Sequence, residues 1–338
     1  MNNIYNWPLW HWHFELTSIC TLKCPRCSRT EIPEDLVTDS LDLNFFKDNF
    51  NSNIVSKIKR ISLCGYDGDP IYNKQFIEIC KHFKTLNPKL ELYIVTNGSY
   101  KTVDWWTKLG QTLNEYDQIH FSLDGWEQES NEKYRVNSNW KSIVDGITAL
   151  QDKDVRLVWD AIYFDFNHKN IADMINKAKE LKFDAFRVTK SNKFNYVYEH
   201  YPKDLEPPEE FISSSGRFEN DIIKLSEREI HNSSFADAVE LYNNSDKEQE
   251  IVPLCKIGTK GLFVDSQGYF YPCCWIINRY NRESYKEWLT PEHSIRDKGI
   301  EFVLNNNWDK FLNDINTNDI CNLKCNSKEV TIETVQKW

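Results

Sequence analysis

Residues 16–29 read Leu-Thr-Ser-Ile-Cys-Thr-Leu-Lys-Cys-Pro-Arg-Cys-Ser-Arg and place Cys20, Cys24 and Cys27 at a C-x3-C-x2-C spacing. The alternating polar and apolar residues directly before this stretch predict a strand. Three thiolates on one short loop can bind three irons of a [4Fe–4S] cube, because cysteine thiolates are the usual ligands of such clusters. Since the loop contains no fourth cysteine, the fourth iron would stay open for a substrate or cofactor.

The cysteine spacing resembles the signature of the radical S-adenosylmethionine (SAM) enzymes. In that family the open iron chelates the amino and carboxylate groups of SAM, and one electron cleaves the sulfonium to yield a 5′-deoxyadenosyl radical. The resemblance therefore implies an oxygen-sensitive enzyme that abstracts a hydrogen atom from its substrate. One position departs from the family, where an aromatic residue often precedes the third cysteine and packs near the adenine. This chain has Arg26 there.

Two alternative roles for these cysteines stay open. Zinc prefers four ligands, and Cys24 and Cys27 could form one pair, with Cys20 and His13 completing the site. A thioredoxin-like redox pair needs only Cys24 and Cys27 and leaves Cys20 without a role.

The composition of the 338-residue chain limits the kinds of protein that it can be. Apolar residues make up 40%, enough for a large core, and the formal net charge is −10. This acidic balance argues against nucleic acid as the main partner, since phosphate backbones are bound by clustered Lys and Arg. We see neither a signal peptide nor an apolar run of membrane-spanning length. We therefore expect a cytoplasmic protein whose ten cysteines act mainly as metal ligands.

Strand-like and helix-like segments alternate through the first 190 residues. The strand patterns cover residues 10–17, 60–64, 90–96, 118–123, 155–163 and 185–189. The helical patterns cover residues 43–50, 74–86, 104–113, 140–150 and 171–181. Six strands alternating with helices predict parallel βαβ units, in an α/β fold of the partial (β/α)6 TIM-like barrel type. In such barrels the chemistry sits in the loops after the strands.

The loops after the second and third strands carry candidate cofactor-binding residues. The turn Gly65-Tyr-Asp-Gly68-Asp69-Pro70 looks like a variant of the family's Gly-Gly-Glu-Pro motif, which meets the amino group of SAM. By the resemblance, Gly68, Asp69 and Pro70 would bind SAM. Asn97, after the third strand, matches a weaker family pattern. Taken alone, each turn is more often an ordinary Gly/Asp/Pro turn than a site.

The fourth strand is followed by Ser122-Leu-Asp124-Gly125, with Tyr134-Arg135 a little downstream. In relatives with this pair of patterns, the serine and arginine hold the SAM carboxylate and the aspartate lies near the ribose. The resemblance thus implies that Ser122, Asp124 and Arg135 bind SAM. We expect the residues that follow the sixth strand to face the same mouth of the barrel: Arg187, Thr189 and Lys190. Asp160 on the fifth strand could face this mouth or the opposite side of the strand.

The pattern changes between residues 191 and 250. Proline pairs and runs of Ser and Asn mark loops, and residues 209–225 and 235–242 could form short helices. We interpret this segment as a crossover out of the barrel, and a solvated linker is an equal alternative.

A second cysteine group lies in the C-terminal part: Cys255, Cys273, Cys321 and Cys325. A hairpin around residues 266–268 would bring the first two together. Four thiolates form a closed site suited to an electron-carrying [4Fe–4S] cluster, and structural zinc is the alternative. The arrangement resembles the twitch domain, a shortened SPASM domain found after radical SAM barrels. Cys274 is interpreted as a spare thiol on the other strand face, and Cys64 and Cys80 as buried small hydrophobes.

The resemblance divides the chain into a radical SAM barrel core (residues 1–190), a crossover region (191–250) and a twitch-type auxiliary-cluster domain (251–338). It implies a radical SAM oxidoreductase or maturase with two [4Fe–4S] clusters, SAM, and an external flavodoxin- or ferredoxin-like reductant. The substrate is a small polar metabolite or a peptide, and peptide crosslinking or modification is one alternative. A non-catalytic zinc or iron–sulfur protein is the rival from another class.

Overall fold

The computed structural model describes residues 11–189, 205, 222–228, 262–277 and 286–306. Within these residues one nine-stranded sheet has the order β7-β6-β5-β4-β3-β2-β1-β8-β9. Its first six strands are mutually parallel, with bounds β1 His11–Phe14, β2 Arg60–Leu63, β3 Glu91–Thr96, β4 Gln118–Ser122, β5 Arg156–Ile162 and β6 Ala185–Thr189. Among the described residues β1 and β6 do not pair with each other; β1 is flanked by β8 and β6 by β7.

Eight α-helices of the described barrel region connect these strands: α1 Ser28–Glu31, α2 Leu43–Asn49, α3 Ser52–Val55, α4 Phe76–Leu86, α5 Val103–Thr112, α6 Gln128–Glu132, α7 Trp140–Leu150 and α8 Ile171–Glu180. Several begin at a side chain that accepts a bond from the first-turn backbone: Asp42 before α2, Thr102 before α5 and Asn139 before α7. Such caps satisfy backbone donors that the helix itself leaves unbonded.

The two faces of the barrel sheet differ in polarity. In β1, Trp12 and Phe14 are fully buried against the helices, and Phe14 packs edge-on against Phe46. The alternate residues, His11 and His13, line the interior cavity. Parallel strands that are buried on both faces usually have continuous apolar sequences, so the polar residues on the inner face of this sheet are unusual. They place hydrogen-bonding side chains inside the barrel rather than a packed apolar core.

The predicted barrel elements are confirmed with small shifts at their ends. The helix α7 and the strand β6 have the predicted bounds, and the other strands begin or end within a few residues of theirs. Three short helices, α1, α3 and α6, were not predicted, because four or five residues carry too little periodicity.

Two features of the C-terminal half differ from expectation. The strand β7, Ile222–Lys224, pairs antiparallel with β6, where the sequence pattern predicted the end of a helix over 209–225. The predicted hairpin is present as β8 Leu262–Val264 and β9 Phe270–Tyr271, joined by a turn in which Gly268 has a φ of 92°. Unexpectedly, β8 also pairs in parallel with β1 and extends the barrel sheet.

None of the helices in the described ranges is long and apolar enough to cross a bilayer.

Candidate radical SAM active site

The three N-terminal cysteines lie together on the loop between β1 and α1. Cys24 is buried in a small apolar cluster with Leu22, Tyr134 and Phe164, and Cys20 and Cys27 pack against this cluster. All three side chains are thiols that form no disulfide. The backbone turns tightly, since the N–H of Cys27 donates to the carbonyl of Cys24 at 3.1 Å. The predicted clustering of these thiols is therefore present.

The surroundings of Cys20 suit a thiolate that is neutralised by iron. Its Sγ accepts from the backbone N–H of Leu22 at 3.4 Å and from Nδ2 of Asn97 at 3.7 Å. Burial, together with the nearby carboxylate of Asp69, raises the pKa of the Cys20 thiol to about 12. Without a bound cation the thiolate is therefore unfavourable, and hydrogen bonds to the sulfur would support it in a cluster. The three residues fit a [4Fe–4S] cluster in their chemistry and arrangement.

The structure does not support the alternative of a zinc site formed by His13 and the three cysteines. Nε2 of His13 lies 2.6 Å from the carbonyl oxygen of Cys64, so this nitrogen carries the proton. Burial lowers the pKa of His13 to about 4, and the ring is therefore neutral near pH 7. In the described part of the chain, no three His, Cys, Asp or Glu side chains are close enough to bind one metal ion. Cluster ligands are spaced more widely, because each binds a different iron.

Asp69 fastens three loops of the site to one another. Its Oδ1 accepts from the backbone N–H of Ile71 at 3.2 Å and from Thr96 Oγ1 at 2.9 Å. Its Oδ2 accepts from both the backbone N–H and the Nδ2 of Asn97, each at 2.6 Å. Its own N–H donates to the carbonyl of Ile19, beside the first cysteine. Burial raises the pKa of Asp69 to about 6, against the lowering effect of these donors.

The predicted SAM-binding residues around Asp69 thus lie together. Both Asp69 oxygens are occupied by the chain, so in this structure the residue positions the turn and Asn97. Pro70 is buried and begins the short helix Pro70–Tyr72. Gly68 has no room for a side chain, since a Cβ would lie 1.9 Å from the carbonyl oxygen of Thr17. Direct contacts of these residues with SAM stay a prediction.

Arg135 is held in place by the fully buried Asp124. Nε of Arg135 donates to Oδ2 of Asp124 at 2.6 Å, and Oδ1 of Asp124 accepts from the N–H of Ile162 at 2.8 Å. Although burial alone would lower it, Asp124 and then Cys24 raise the pKa of Arg135, so the guanidinium is charged. Asp124 does not line the cavity. In this structure Asp124 orients Arg135. The contact of Asp124 with the ribose of SAM stays a prediction.

A cavity of about 210 Å³ lies inside the barrel, at the carboxyl ends of the strands. One side is lined from β1–β3 by His11, His13, Ser62, Cys64, Tyr93 and Val95. The other side contains Ser122, Arg135, Asp160, Ala161, Ile162, Arg187 and Thr189. Of the predicted SAM-binding residues, Ser122 and Arg135 reach this cavity. The expected positions of Arg187 and Thr189 are confirmed, and Asp160 also faces inward.

Several cavity residues were missed from the sequence or assigned wrongly. Cys64, expected to be a buried hydrophobe, is half-buried and lines the cavity, and Cys80 is fully buried as expected. Cys273 and Cys274 both line the cavity, so the placement of Cys274 on the opposite face is wrong. The reason is that β9 ends at Tyr271, and strand alternation does not extend to these cysteines. The polar pattern of β1 was the one available signal for the histidines.

Arg26 is turned into the protein. Its side chain is 2% exposed and forms an ion pair with Glu31 of α1. The guanidinium therefore braces the cysteine loop against the helix that follows it. The remaining predicted ligands, Cys255, Cys321 and Cys325, lie outside the described residues, as do Lys190 and most of the segment 191–250.

Similarity to a known protein family covers most of the barrel region. The model of the radical SAM superfamily matches residues 14–178. No curated protein sequence matches the chain.

Several solved structures share the fold at low sequence identity. Streptococcus suis SuiB bound to precursor peptide SuiA has a TM-score of 0.58 and 14% identity, covering 97% of this chain and 71% of that chain. Native anSMEcpe with bound AdoMet and Cp18Cys peptide has a TM-score of 0.56 and 13% identity, covering 92% and 84%.

SuiB bound to S-adenosylmethionine has a TM-score of 0.52 and 12% identity, covering 81% of this chain. This chain spans 62% of that SuiB chain. Such identities indicate the shared fold alone. The family match covers the cysteine loop and the strands β2 to β5, and the loops in this range carry the predicted motifs in order. On these grounds residues 14–178 form a radical SAM domain.

Proposed function

We propose that this chain is an enzyme that cleaves SAM reductively and uses the resulting radical to abstract a hydrogen atom from a peptide. The observation that carries the proposal is that three clustered thiols lie beside the cavity-facing Arg135, whose pKa Cys24 helps to raise, while Ser122 faces the same cavity. When bound by the three thiolates, a [4Fe–4S] cluster supplies the electron that breaks the carbon–sulfur bond of SAM. The organic chemistry belongs to that cofactor, and the protein supplies position and electrostatics.

The residues of this chain would divide the work of holding SAM. The Nη groups of Arg135 are available for the SAM carboxylate, since its Nε is already bound to Asp124. A planar guanidinium binds a carboxylate with two parallel hydrogen bonds, which fixes its orientation. The turn of Gly68, Asp69 and Pro70 would approach the amino group, with Asn97 supporting both the turn and Cys20.

We further propose a second [4Fe–4S] cluster bound by Cys255, Cys273, Cys321 and Cys325. Cys273 lies at the cavity that also contains Arg135 and Ser122. The four cysteines would hold the cluster, and the chemistry it would supply is that of an electron acceptor, which favours a net oxidation or bond formation. An external flavodoxin- or ferredoxin-like protein would deliver the electron for SAM cleavage.

A peptide is favoured over a small metabolite as the substrate. Two of the structures that share this fold, SuiB with SuiA and anSMEcpe with Cp18Cys peptide, contain bound peptides. The cavity of this chain is open at the carboxyl ends of the strands, where substrates of barrel enzymes bind. Peptide crosslinking or residue oxidation is the reaction class that we infer, with alcohol oxidation in a polar metabolite as the second candidate.

The proposal is tested by anaerobic reconstitution with iron and sulfide, reduction in the presence of SAM, and measurement of 5′-deoxyadenosine. Two four-iron clusters predict about eight irons per chain. Replacing Cys20, Cys24 and Cys27 with Ala should remove about half of the iron and abolish 5′-deoxyadenosine. Cys80→Ala is the matched control, because Cys80 is buried in the core away from the loop.

Three outcomes would contradict parts of the proposal. Zinc without iron or sulfide would support the non-catalytic rival. Iron binding without any SAM cleavage would refute the radical mechanism. About four irons in the wild-type chain would refute the auxiliary cluster and leave SAM cleavage in place.

A further inference from the structure

His13 lies on the inner face of β1, with a strand on either side. The register pairs it with Ser62 of β2 and with Phe263 of β8. Ser62 lines the same cavity, and the ring of Phe263 packs edge-on against the imidazole, with 4.8 Å between the ring centroids. His11 is two residues earlier on the same face, so His13 lies about 7 Å closer to the carboxyl end of the strand. Of the two histidines, His13 is therefore the nearer to the cysteine loop that follows β1.

The hydrogen bond of one ring nitrogen fixes the tautomer of His13. Nε2 lies 2.6 Å from the backbone carbonyl oxygen of Cys64, which can only accept, so Nε2 carries the proton. Burial lowers the pKa of His13 to about 4, against the raising effect of this hydrogen bond, so the ring is neutral near pH 7. In a neutral imidazole that carries its proton on Nε2, the other nitrogen, Nδ1, accepts hydrogen bonds and cannot donate them.

Nδ1 of His13 has no hydrogen-bond partner among the residues that the structure describes. Although His13 is only 9% exposed, Nδ1 is not sealed inside the protein in the way that Nε1 of Trp12 is. Because His13 lines the cavity, this accessible nitrogen opens into that space. A side chain that is nine-tenths buried thus directs an unused acceptor into the cavity.

The polar groups of the cavity differ in what they can recognise. Hydroxyl groups such as those of Ser62 and Ser122 can donate or accept, and the guanidinium of Arg135 can only donate. Nδ1 of His13 can only accept. A substrate that fills the cavity displaces water from this nitrogen and must replace the lost hydrogen bond, because an unpaired buried acceptor is costly. A carboxylate or an ether oxygen presents only lone pairs, so the matching group on a substrate is an O–H or N–H donor.

We propose that His13 is a substrate-binding residue whose Nδ1 accepts a hydrogen bond from an O–H or N–H group of the substrate. The inference rests on the proposed function in that the cavity receives the substrate beside SAM. The donor is either the side-chain hydroxyl of a serine or threonine or a backbone amide of a peptide. Because Ser122 and Arg135 lie on the other side of the cavity, this hydrogen bond would hold the substrate facing the SAM-binding residues.

The test uses the full chain, reconstituted anaerobically with SAM, and three uncharged probes in ligand-observed NMR titrations. N-acetylserine methylamide presents a hydroxyl and amide N–H groups, N-acetyl-O-methylserine methylamide presents amide N–H groups alone, and N-acetylsarcosine dimethylamide presents no donor. If the donor is a hydroxyl, only the serine probe should bind about tenfold or more tightly than the donor-free probe. If the donor is a backbone amide, the first two probes should bind equally, and both about tenfold more tightly than the third.

Variants of His13 test whether this residue is the source of the preference. His13→Phe and His13→Met both remove the acceptor, and each should reduce the preference for the donor probes to about twofold or less. Met adapts to irregular space, so one of the two should fold with little rearrangement. His13→Gln keeps a donor for the carbonyl of Cys64 and an accepting oxygen, and it should retain part of the preference. His82→Phe, on α4 and away from the cavity, is the matched control and should leave all three affinities unchanged.

The proposal is overturned if the three probes bind the wild-type chain equally tightly, or if none of them binds it at tens of millimolar. It is also overturned if the preference for a donor persists in His13→Phe or His13→Met, because another group would then accept the hydrogen bond. Affinities are compared for the variants whose unfolding curves match the wild type. Loss of 5′-deoxyadenosine formation by the wild type would refute the proposed function but not these binding results.

Discussion

Glu15 is a buried acid with no cation beside it among the residues that the structure describes, and its replacement by Gln should stabilise the protein at alkaline pH. Its Oε1 accepts from the N–H groups of Asp67 at 2.6 Å and Gly68 at 3.2 Å. Burial, followed by the like charges of Asp67 and Asp265, raises the pKa of Glu15 from 4.5 to about 8. Gln keeps the accepting oxygen and removes the charge.

The sign and size of the effect follow from this pKa. A carboxyl whose pKa is raised in the folded state stabilises the fold while protonated, and that contribution is lost as pH rises from 4.5 to about 8. This rise in the pKa of Glu15 corresponds to a loss of ~2–5 kcal/mol in the free energy of unfolding once the carboxyl is ionised, after allowance for relaxation of the surroundings. The advantage of Glu15→Gln over the wild type should therefore grow by at most about 1.4 kcal/mol per pH unit, and level off above pH about 8.

The assay is urea unfolding of anaerobic samples with equal iron content, followed by tryptophan fluorescence at several pH values between 5 and 9. Glu91→Gln is the matched control, because Glu91 is equally buried but lies 3.0 Å from Arg60. The Gln variant loses the carboxylate charge beside this buried guanidinium and should destabilise the fold by about 3–5 kcal/mol at neutral pH. Parallel pH profiles for the wild type and Glu15→Gln would refute the reasoning, since Glu15 would then be ionised in the folded protein.

Three further changes test the packing that positions the site. Gly146→Ala should lower the melting temperature and cost about 1–3 kcal/mol despite the higher helix propensity of Ala, because the new Cβ lies 2.3 Å from Nε1 of Trp106. Gly68→Ala should displace the turn, since its Cβ meets the Thr17 carbonyl, and weaken SAM binding in equilibrium dialysis about tenfold or more. Lys84→Met should cost about 3–5 kcal/mol in urea unfolding, because Asp117 loses the ammonium 3.0 Å away.

The sequence was sufficient for the barrel core because its signals are local. The α7 segment, Trp140–Leu150, repeats apolar residues at helical spacing, and the β6 segment, Ala185–Thr189, alternates apolar with polar residues at Phe186 to Thr189, so both have the predicted bounds. The motifs after each strand were also readable, since parallel strands bring their carboxyl ends to one edge. The cysteine loop needed only spacing along the chain.

The remaining features depend on contacts between distant segments. The polar contacts of Gln118 with Glu91 and His120, and of His120 with Asp160, form because the register of three neighbouring strands aligns these side chains. No local pattern carries that register. Likewise, the pairing of β8 with β1 joins residues about 250 positions apart, and the three-residue β8 alone does not reveal its partner. The hydrogen bond between Arg135 and Asp124 likewise depends on how the two loops pack, which no local pattern records.

The parallel pairing of β8 with β1 has a practical consequence for any shortened form of the protein. The N–H of Glu15 donates to the carbonyl of Val264 at 2.9 Å, and three residue pairs align along these two strands. A fragment that ends after the sixth strand would leave the outer edge of β1 without this cover. Unprotected strand edges recruit strands from other molecules, so such a fragment should aggregate even if its barrel forms. Removing the C-terminal segment would therefore expose the strand that leads into the cysteine loop to intermolecular pairing.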